Sequence, residues 1–291
     1  MPAEHGSQRV AGRRTMTPAG KGLLVLGMHR SGTSALTRLL NLHGAALGDD
    51  LLPPGHDNPG GFWELREAVA IHERLLAGLG MAWDDPRPLH PGWEHTDAAR
   101  SAGEAIAALI DRTFAGEALW VVKDPRLCRF APLWSRAMRA RGIAPHAILV
   151  ARHPTEVAHS LQIRDGLPSA VGNLLWSRYF VDAVAGSDDM PRALLRYSDL
   201  LQGWRGAIAG IEQALGIELR HDVAIDAAAD AFVAPQMRHH VVDAGQPADA
   251  LVAPLQAALE HAADNALPSA WPGAVERFSQ VLAPVEGVVD G

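Results

Sequence analysis

Residues 24–36 read LVLGMHRSGTSAL, and this stretch decides the fold. The apolar run at 22–28 is too short for a helix and leads into glycine-containing sequence, so it predicts a buried strand. From Thr33 to His43, leucines recur at helical spacing, which predicts a helix. A strand, a glycine loop and a helix in this order aim backbone N–H groups and the positive end of the helix dipole at an anion. Residues 27–36 therefore predict a phosphate-binding loop.

This loop departs from a nucleoside-triphosphate loop at one position. Gly27 and Gly32 have the spacing of G-x-x-x-x-G-K-[ST], but Thr33 stands where that pattern has lysine. The cation of the loop comes earlier instead, at Arg30. The stretch is thus either a triphosphate loop that has lost its lysine or an intact loop for a different phosphate ester.

The composition is that of an ordinary globular protein. The chain has 291 residues, of which 48% are apolar and 20% are charged, which is enough for one large domain with a core. Residues 21–285 are predicted to form that single domain, and residues 1–20 to form a disordered basic tail. The net charge of −7 disfavours broad nucleic-acid binding.

Cysteine content and hydropathy favour a reducing cytoplasm. The single cysteine, Cys128, excludes an intrachain disulfide. No stretch approaches the roughly 18–20 consecutive apolar residues of a membrane span. Arg13 and Arg14 could belong to an export signal, but the apolar run after them is short and leads straight into the glycine loop. Oligomeric state is not readable from the sequence.

Short apolar runs alternate with helical patterns along the rest of the chain. This alternation predicts an α/β fold of the P-loop type, with three layers: a mostly parallel central sheet flanked by helices on both faces. The further predicted strands are Leu119–Val122, His146–Ala151 and Ala193–Tyr197. The further predicted helices are 64–79, 97–114, 129–141, one beginning near Pro154, 168–185, 198–215, 248–265 and 268–282.

Several ordered motifs resemble sulfotransferases that use 3′-phosphoadenosine 5′-phosphosulfate (PAPS). H-R-S-G-T-S resembles the family's 5′-phosphosulfate loop, in which a basic residue precedes Ser-Gly-Thr-Thr or a close relative. ILVARHPTEVAHS supplies an Arg and a Ser eight residues apart, like the pair that contacts the 3′-phosphate. RYSDL resembles the segment beside the adenine, and VVKDPR resembles tyrosylprotein sulfotransferases and their bacterial relatives. With FVAPQMRHH, which resembles a bacterial segment near the 3′-phosphate, the resemblance covers about residues 22–240.

The resemblance implies a role for each matched residue. Lys123 would stabilise the bridging oxygen that leaves with the phosphate, and Glu64 in GFWELREA would accept the proton of the acceptor. Glu64 takes that role because Pro125 stands where the cytosolic branch of the family has its catalytic His; His56 stays open as another base. The residues implied to bind PAPS are Arg30, Ser31, Gly32, Thr33, Ser34, Arg152, Ser160, Tyr197 and Arg238.

The implied activity is in-line transfer of a sulfuryl group from PAPS to a hydroxyl or amine of a small-molecule or glycan acceptor. The product of the donor is adenosine 3′,5′-bisphosphate, and the scheme requires no metal because it contains no triphosphate to neutralise. The negative net charge disfavours a highly anionic polysaccharide as acceptor. Trp63, Trp83 and Trp93 could stack on a sugar or aromatic acceptor, or pack in the core.

Two other functions stay open. A small-molecule kinase would need a lysine after Gly32 and a magnesium ligand, for which Asp124 is the candidate; otherwise Asp124 is structural and pairs with a residue such as Arg126. A non-catalytic protein on the same fold would bind the nucleotide without transferring a group. The histidines at 221, 239 and 240 match no zinc spacing, so no zinc site is predicted.

Overall fold

The computed structural model describes residues 20–56, 58–233, 249–260, 262 and 265–289, with only the backbone described from 281 onward. Arg238 and almost all of the predicted basic tail lie outside these residues. Within the described parts of the chain, no helix is both long and apolar enough to cross a membrane.

A four-stranded parallel sheet forms the centre of the fold. The strands are β1 (Gly20–Leu26), β2 (Leu119–Lys123), β3 (Ile143–Ala151) and β4 (Arg192–Arg196), and their order across the sheet is β2-β1-β3-β4. The side chains of Leu23 to Leu26 are completely buried, as expected for a parallel strand covered on both faces. The predicted parallel α/β fold is therefore confirmed.

Helices cover both faces of this sheet. The helices are α1 (Thr33–Leu42), α2 (Arg66–Gly78), α3 (Asp97–Thr113), α4 (Leu127–Arg139), α5 (Pro154–Asp165), α6 (Ser169–Ala185), α7 (Tyr197–Gln202), α8 (Trp204–Leu215), α9 (Val223–Phe232), α10 (Ala253–Glu260) and α11 (Trp271–Val289).

The two faces of the sheet carry separate hydrophobic cores, because successive strand residues point to opposite sides. Leu24 and Leu26 of β1 pack into the core that includes residues of α2, α3, α4 and α6. Leu23 and Val25 pack into the core that includes residues of α1, α7 and α8. These three layers agree with the predicted architecture.

Both edges of the sheet are covered by other segments of the chain. At the β2 edge, the Val121 N–H donates to the carbonyl of Ala46 at 2.8 Å, and the Ala46 N–H donates to Leu119 at 2.9 Å. At the β4 edge, the Leu194 N–H donates to the carbonyl of Asn265 at 2.7 Å, and the Asn265 side-chain amide donates back to the Leu194 carbonyl at 3.0 Å.

Three predicted details of the second half of the chain are wrong. Tyr197 begins α7 instead of ending β4. The predicted helix 198–215 is two helices that break at Gly203, whose φ of −173° is extended. Helix α9 is absent from the prediction: its alanine-rich sequence buries Ala229 but leaves Val223 88% exposed, so it lacks a clear apolar stripe.

Candidate active site

Each of the four strands ends at, or just before, a candidate residue at the carboxyl edge of the sheet. The predicted phosphate loop follows β1, Lys123 ends β2, Arg152 follows β3 and Tyr197 follows β4. The chain runs from β1 to β2 on one side and then crosses to β3 on the other, so the direction of strand order reverses between β1 and β3. The crevice outside the carboxyl ends at such a reversal is where open α/β sheets bind ligands.

The phosphate loop has a backbone shape that only certain residues tolerate. Arg30 and Gly32 both have positive φ, at 69° and 90°. A Cβ atom at Gly32 would lie 2.1 Å from the Tyr197 ring, so this position has to be glycine for two reasons. A Cβ at Gly27 would lie 2.8 Å from the Thr33 methyl group and 2.9 Å from the Val150 carbonyl oxygen. Both glycines of the predicted loop are thus required by close packing.

The loop also contains a buried polar atom suited to an anion. The Ser31 backbone N–H donates to Met28 at 3.1 Å, but the Ser31 hydroxyl is buried and has no hydrogen-bond partner among the described residues. Helix α1 begins at Thr33, so the N–H groups of its first turn lack intrahelical acceptors. An anionic oxygen at this helix end would satisfy these donors, which makes the loop a fitting cradle for a phosphate group.

Lys123 reaches the loop from the neighbouring strand. Its ammonium donates to the Ser34 hydroxyl at 3.1 Å and to the Phe62 carbonyl at 3.2 Å. It also forms an ion pair with Glu64, with 2.5 Å between Nζ and Oε1, and the two side chains are only 3% and 7% exposed. The structure therefore places a buried lysine beside the helix end whose own loop lacks one.

Glu64 precedes α2, and the predicted helix start at this residue is two residues too early. Its carbonyl instead accepts from the Leu52 N–H at 2.8 Å, which fixes the end of the loop from 48 to 62. Burial raises the pKa of the Glu64 carboxyl above its ordinary value despite the opposing Lys123 ammonium, and the charge of Asp124 adds to the rise. A raised pKa makes this carboxylate a better proton acceptor than an exposed one.

Asp124 is held in a buried polar network behind Lys123. It accepts from His72 Nδ1 at 2.6 Å and from Arg126 Nη1 at 2.8 Å, so the predicted pairing with Arg126 is present. The Trp134 indole N–H donates to His72 Nε2 at 2.9 Å, which leaves the His72 hydrogen on Nδ1, facing Asp124. Burial opposes ionisation, but Arg126 and the His72 hydrogen bond outweigh it and hold the pKa of Asp124 well below its usual range. Both carboxylate oxygens already have protein partners.

A second group of predicted residues lies at the ends of β3 and β4. Arg152 donates through Nη1 to the Arg30 carbonyl at 2.9 Å and through Nε to Glu156 at 2.6 Å, and its guanidinium lies 5.0 Å from the centre of the Tyr197 ring. Arg30 Nε donates to the Ser160 hydroxyl at 2.7 Å. The structure thus brings Arg30, Arg152, Ser160 and Tyr197 together. Ser160 lies in the second turn of α5.

His29 is a candidate that the sequence interpretation passed over. Its side chain is partly exposed at the loop, but its Nε2 is buried and has no hydrogen-bond partner among the described residues. Burial, followed by the positive charges of Arg126 and Arg164, lowers the pKa of His29 well below its ordinary value. A neutral imidazole with an unpaired buried nitrogen beside this loop could contact a bound group, but its lowered pKa makes it a weaker base than an ordinary histidine. Only its position directly before Arg30 hinted at this in the sequence.

Of the remaining tryptophan and histidine candidates, one lies in the core and the others lie nearer the surface. Trp93 is 7% exposed and packs against Phe130, so it belongs to the core. Trp83 lies 4.8 Å from the His29 ring between ring centres, and Trp63, with a φ of 57°, lies under the guanidinium of Arg38. His56 is exposed on the loop before α2.

Comparisons with known proteins give weak similarities. No known family and no curated protein matches the chain. A sulfotransferase domain from the curacin biosynthetic pathway is 18% identical and covers 71% of this chain and 76% of its own, with a TM-score of 0.40. The sulfotransferase domain of the Synechococcus PCC 7002 olefin synthase is 16% identical over 94% of this chain and 98% of its own, with a TM-score of 0.45. Sulfotransferase STF1 from Mycobacterium tuberculosis H37Rv is 17% identical and covers 72% of this chain and 70% of its own, with a TM-score of 0.45. Similarities of this size assign neither a family nor a function.

Proposed function

We propose that the chain is a PAPS-dependent sulfotransferase acting on a hydroxyl or amine of a small-molecule or glycan acceptor. One observation carries the proposal: the loop lacks the lysine of a triphosphate loop, and Lys123 reaches the same helix end from β2, 3.1 Å from Ser34. This arrangement brings a lysine ammonium to the loop in addition to Arg30. Such a charge suits a leaving phosphate oxygen without any need for a triphosphate.

The residues around the crevice fit the two ends of the donor. Arg30, the Ser31 hydroxyl and the first-turn N–H groups of α1 would hold the 5′-phosphosulfate. Arg152 and Ser160 would bind the 3′-phosphate, since a guanidinium forms paired charge-assisted hydrogen bonds with phosphate. Tyr197, beside Arg152, would lie against the adenine. Arg238 keeps its proposed 3′-phosphate role, although it lies outside the described residues.

In this reaction the protein would mainly supply positive charge, hold donor and acceptor in position, and provide one proton acceptor. When bound, PAPS supplies the sulfuryl group: its bond between sulfur and the bridging oxygen breaks as a bond from sulfur to the acceptor oxygen or nitrogen forms. Lys123 would turn toward the oxygen that gains charge. That movement breaks its ion pair with Glu64, and the freed carboxylate then takes the proton that the acceptor loses.

A small-molecule kinase is the less favoured candidate. It needs a carboxylate that can take part in binding magnesium. Asp124 is fully buried, and its oxygens are occupied by His72 and Arg126. A magnesium ion at Asp124 would therefore have to displace two close partners.

Thermal unfolding with nucleotides tests the donor class. Adenosine 3′,5′-bisphosphate at 100 times its dissociation constant should stabilise the protein by roughly 2.7 kcal/mol, whereas AMP and ATP at equal concentration should stabilise it much less. Stabilisation by ATP with none from the bisphosphate would favour the kinase instead. Binding of the bisphosphate without transfer to any acceptor would favour a non-catalytic protein.

An acceptor screen then tests the reaction itself. Release of adenosine 3′,5′-bisphosphate from PAPS would be measured with neutral sugars, lipid-linked glycans and small hydroxyl or amine metabolites. The negative net charge of the chain disfavours strongly anionic polysaccharides. We place the reaction in a reducing cytoplasm, since the single thiol, Cys128, is buried and unpaired.

A further inference from the structure

Two histidines and an aspartate meet at the end of α1 that is remote from the phosphate loop. One possible ligand atom from each of His43, His221 and Asp226 lies within 4.8 Å of the other two. His43 follows α1, His221 precedes α9, and Asp226 lies in the first turn of α9. Because α1 rises about 15 Å from end to end, this cluster is separate from the proposed sulfotransfer site.

His43 presents a buried nitrogen lone pair to the cluster. Its Nδ1 lies 2.7 Å from the Leu39 carbonyl, which can only accept, so Nδ1 carries the hydrogen and Nε2 does not. The side chain is 0% exposed, and Nε2 has no hydrogen-bond partner among the described residues. Leaving a buried acceptor unpaired is destabilising, so an electrophilic partner at this atom would stabilise the folded state.

Each of the other two members has one polar side-chain atom paired with a neighbour and a second atom that could serve as a ligand. His221 Nε2 lies 3.0 Å from a carboxylate oxygen of Glu212, which places a hydrogen on Nε2 and directs the Nδ1 lone pair elsewhere. Arg205 donates to Asp226 Oδ2 at 3.2 Å, which leaves Oδ1 available. Histidine ligands of metals usually donate their second N–H to a carboxylate or a backbone carbonyl, and here His221 and His43 do one each.

We propose that His43, His221 and Asp226 bind a divalent transition-metal ion, of which Zn²⁺ fits best. Two imidazole nitrogens and one carboxylate are a common zinc ligand set, whereas Mg²⁺ and Ca²⁺ prefer oxygen alone. Ligands of one Zn²⁺ ion lie roughly 3.4 Å apart, so the cluster must tighten on binding. His221 is exposed and Asp226 half-buried at the start of α9, so they are the members able to move.

The ion would link α9 to the end of α1. Ala229 is the only residue described as buried in this helix, so packing holds it weakly. A bond from α1 to α9 through the ion adds a contact that burial does not provide. Since metal binding to the folded state alone stabilises that state, the effect should appear as metal-dependent resistance to unfolding.

The experiment measures Zn²⁺ binding by calorimetry and thermal unfolding after treatment with a chelator. Wild type should bind one Zn²⁺ and unfold at a higher temperature with it, with little response to Mg²⁺. His221→Ala and Asp226→Ala should each weaken binding by roughly 100-fold, and Glu212→Gln by about tenfold. Co²⁺ substitution should give the visible absorption of a low-symmetry nitrogen and oxygen site, lost in the double variant His221→Ala/Asp226→Ala.

Matched controls use a histidine and an aspartate outside the cluster. His90→Ala and Asp97→Ala alter exposed residues and should leave Zn²⁺ affinity unchanged. The proposal is overturned if wild type binds no Zn²⁺, or if the double variant binds as tightly as His90→Ala. The response to adenosine 3′,5′-bisphosphate should be the same in all these variants, so this result and the test of sulfotransfer are independent.

Discussion

Two cation–carboxylate pairs lie at the same edge of the sheet, and they differ in the sequence separation of their partners and in their burial. Lys123 and Glu64 are 59 residues apart in the chain, and their side chains are 3% and 7% exposed. Arg152 and Glu156 are one helical turn apart, and their side chains are 12% and 15% exposed. The first pair exists only when β2 and the segment before α2 have come together, whereas the second needs little more than the start of α5. The Lys123–Glu64 pair thus depends on the whole fold, whereas the Arg152–Glu156 pair depends mainly on local structure.

The largest effect is expected from Glu64→Gln. Removing the proposed base should lower turnover by roughly 10²- to 10⁴-fold and leave the affinity for adenosine 3′,5′-bisphosphate nearly unchanged. Because burial raises the pKa of Glu64, wild-type kcat should fall as the pH drops through a value above that of an ordinary glutamate, where the carboxylate takes up a proton. The measurement is a pH–rate profile of kcat.

His29→Asn is the matched control for that assignment. The variant should keep the acidic limb of the pH profile, because Glu64 is still present. If His29→Asn abolished the limb and Glu64→Gln kept both limb and turnover, the proton acceptor would be His29 and the assignment of Glu64 would be wrong.

Lys123→Met should separate catalysis from stability at the same pair. Loss of the ammonium should lower turnover by about 10²- to 10³-fold. It also leaves Glu64 buried without a partner, which should reduce the free energy of unfolding by about 3–5 kcal/mol, measured by urea denaturation.

The double variant Lys123→Met/Glu64→Gln provides the control, because it removes both charges. It should recover most of the lost stability and none of the turnover. Recovery of turnover would remove both Lys123 and Glu64 from the proposed chemistry.

Arg152→Ala should weaken nucleotide binding and leave the surroundings of Lys123 unchanged. The affinity for adenosine 3′,5′-bisphosphate should fall about 10- to 150-fold, corresponding to ~1.5–3 kcal/mol for hydrogen bonds to a charged group. The affinity for AMP, which lacks the 3′-phosphate, should change little. Calorimetry with both nucleotides measures the difference, and Arg100→Ala, in an exposed i,i+3 pair, is the control. Equal losses for the two nucleotides would contradict the 3′-phosphate role.

The smallest effect concerns His29 and the pH dependence of stability. A histidine whose folded-state pKa is depressed favours the folded state fully above its unfolded value of 6.5, and this contribution is lost as the pH falls toward the folded value. Within that window, wild type should lose at most about 1.4 kcal/mol per pH unit through this group. Urea denaturation from pH 7.5 to 5 should show a weaker decline for His29→Asn. Parallel curves for the two proteins would mean that His29 titrates normally.

The contrast between the two pairs also explains what the sequence could predict. Local sequence patterns predict strand β1, the loop at 27–36 and helix α1. Similar patterns along the rest of the chain predict the parallel fold. Arg152 and Ser160 were proposed from the resemblance of one short segment, which runs from the end of β3 into α5, to a family motif. The ion pair of Lys123 with Glu64 has no local signature, because its partners come from different elements.

The missed break at Gly203 has a local origin. It lies within a continuous helical pattern, and glycine within a helix is only a weak signal. The cluster of His43, His221 and Asp226, where we propose a metal ion, joins residues that are far apart in the chain and that only tertiary structure brings together. Spacing rules for zinc describe ligands that are close in sequence, so they give no prediction for a cluster of this kind.

The covered edges of the sheet have a consequence for how copies of this protein meet. An open strand edge is a template for another chain, and it leads to aggregation or to dimers with a continuous sheet. Here the Val121 N–H and the Leu119 carbonyl are already occupied by Ala46, and both backbone groups of Leu194 are occupied by Asn265. A second copy therefore cannot extend the sheet at these positions without first displacing a segment of the same chain.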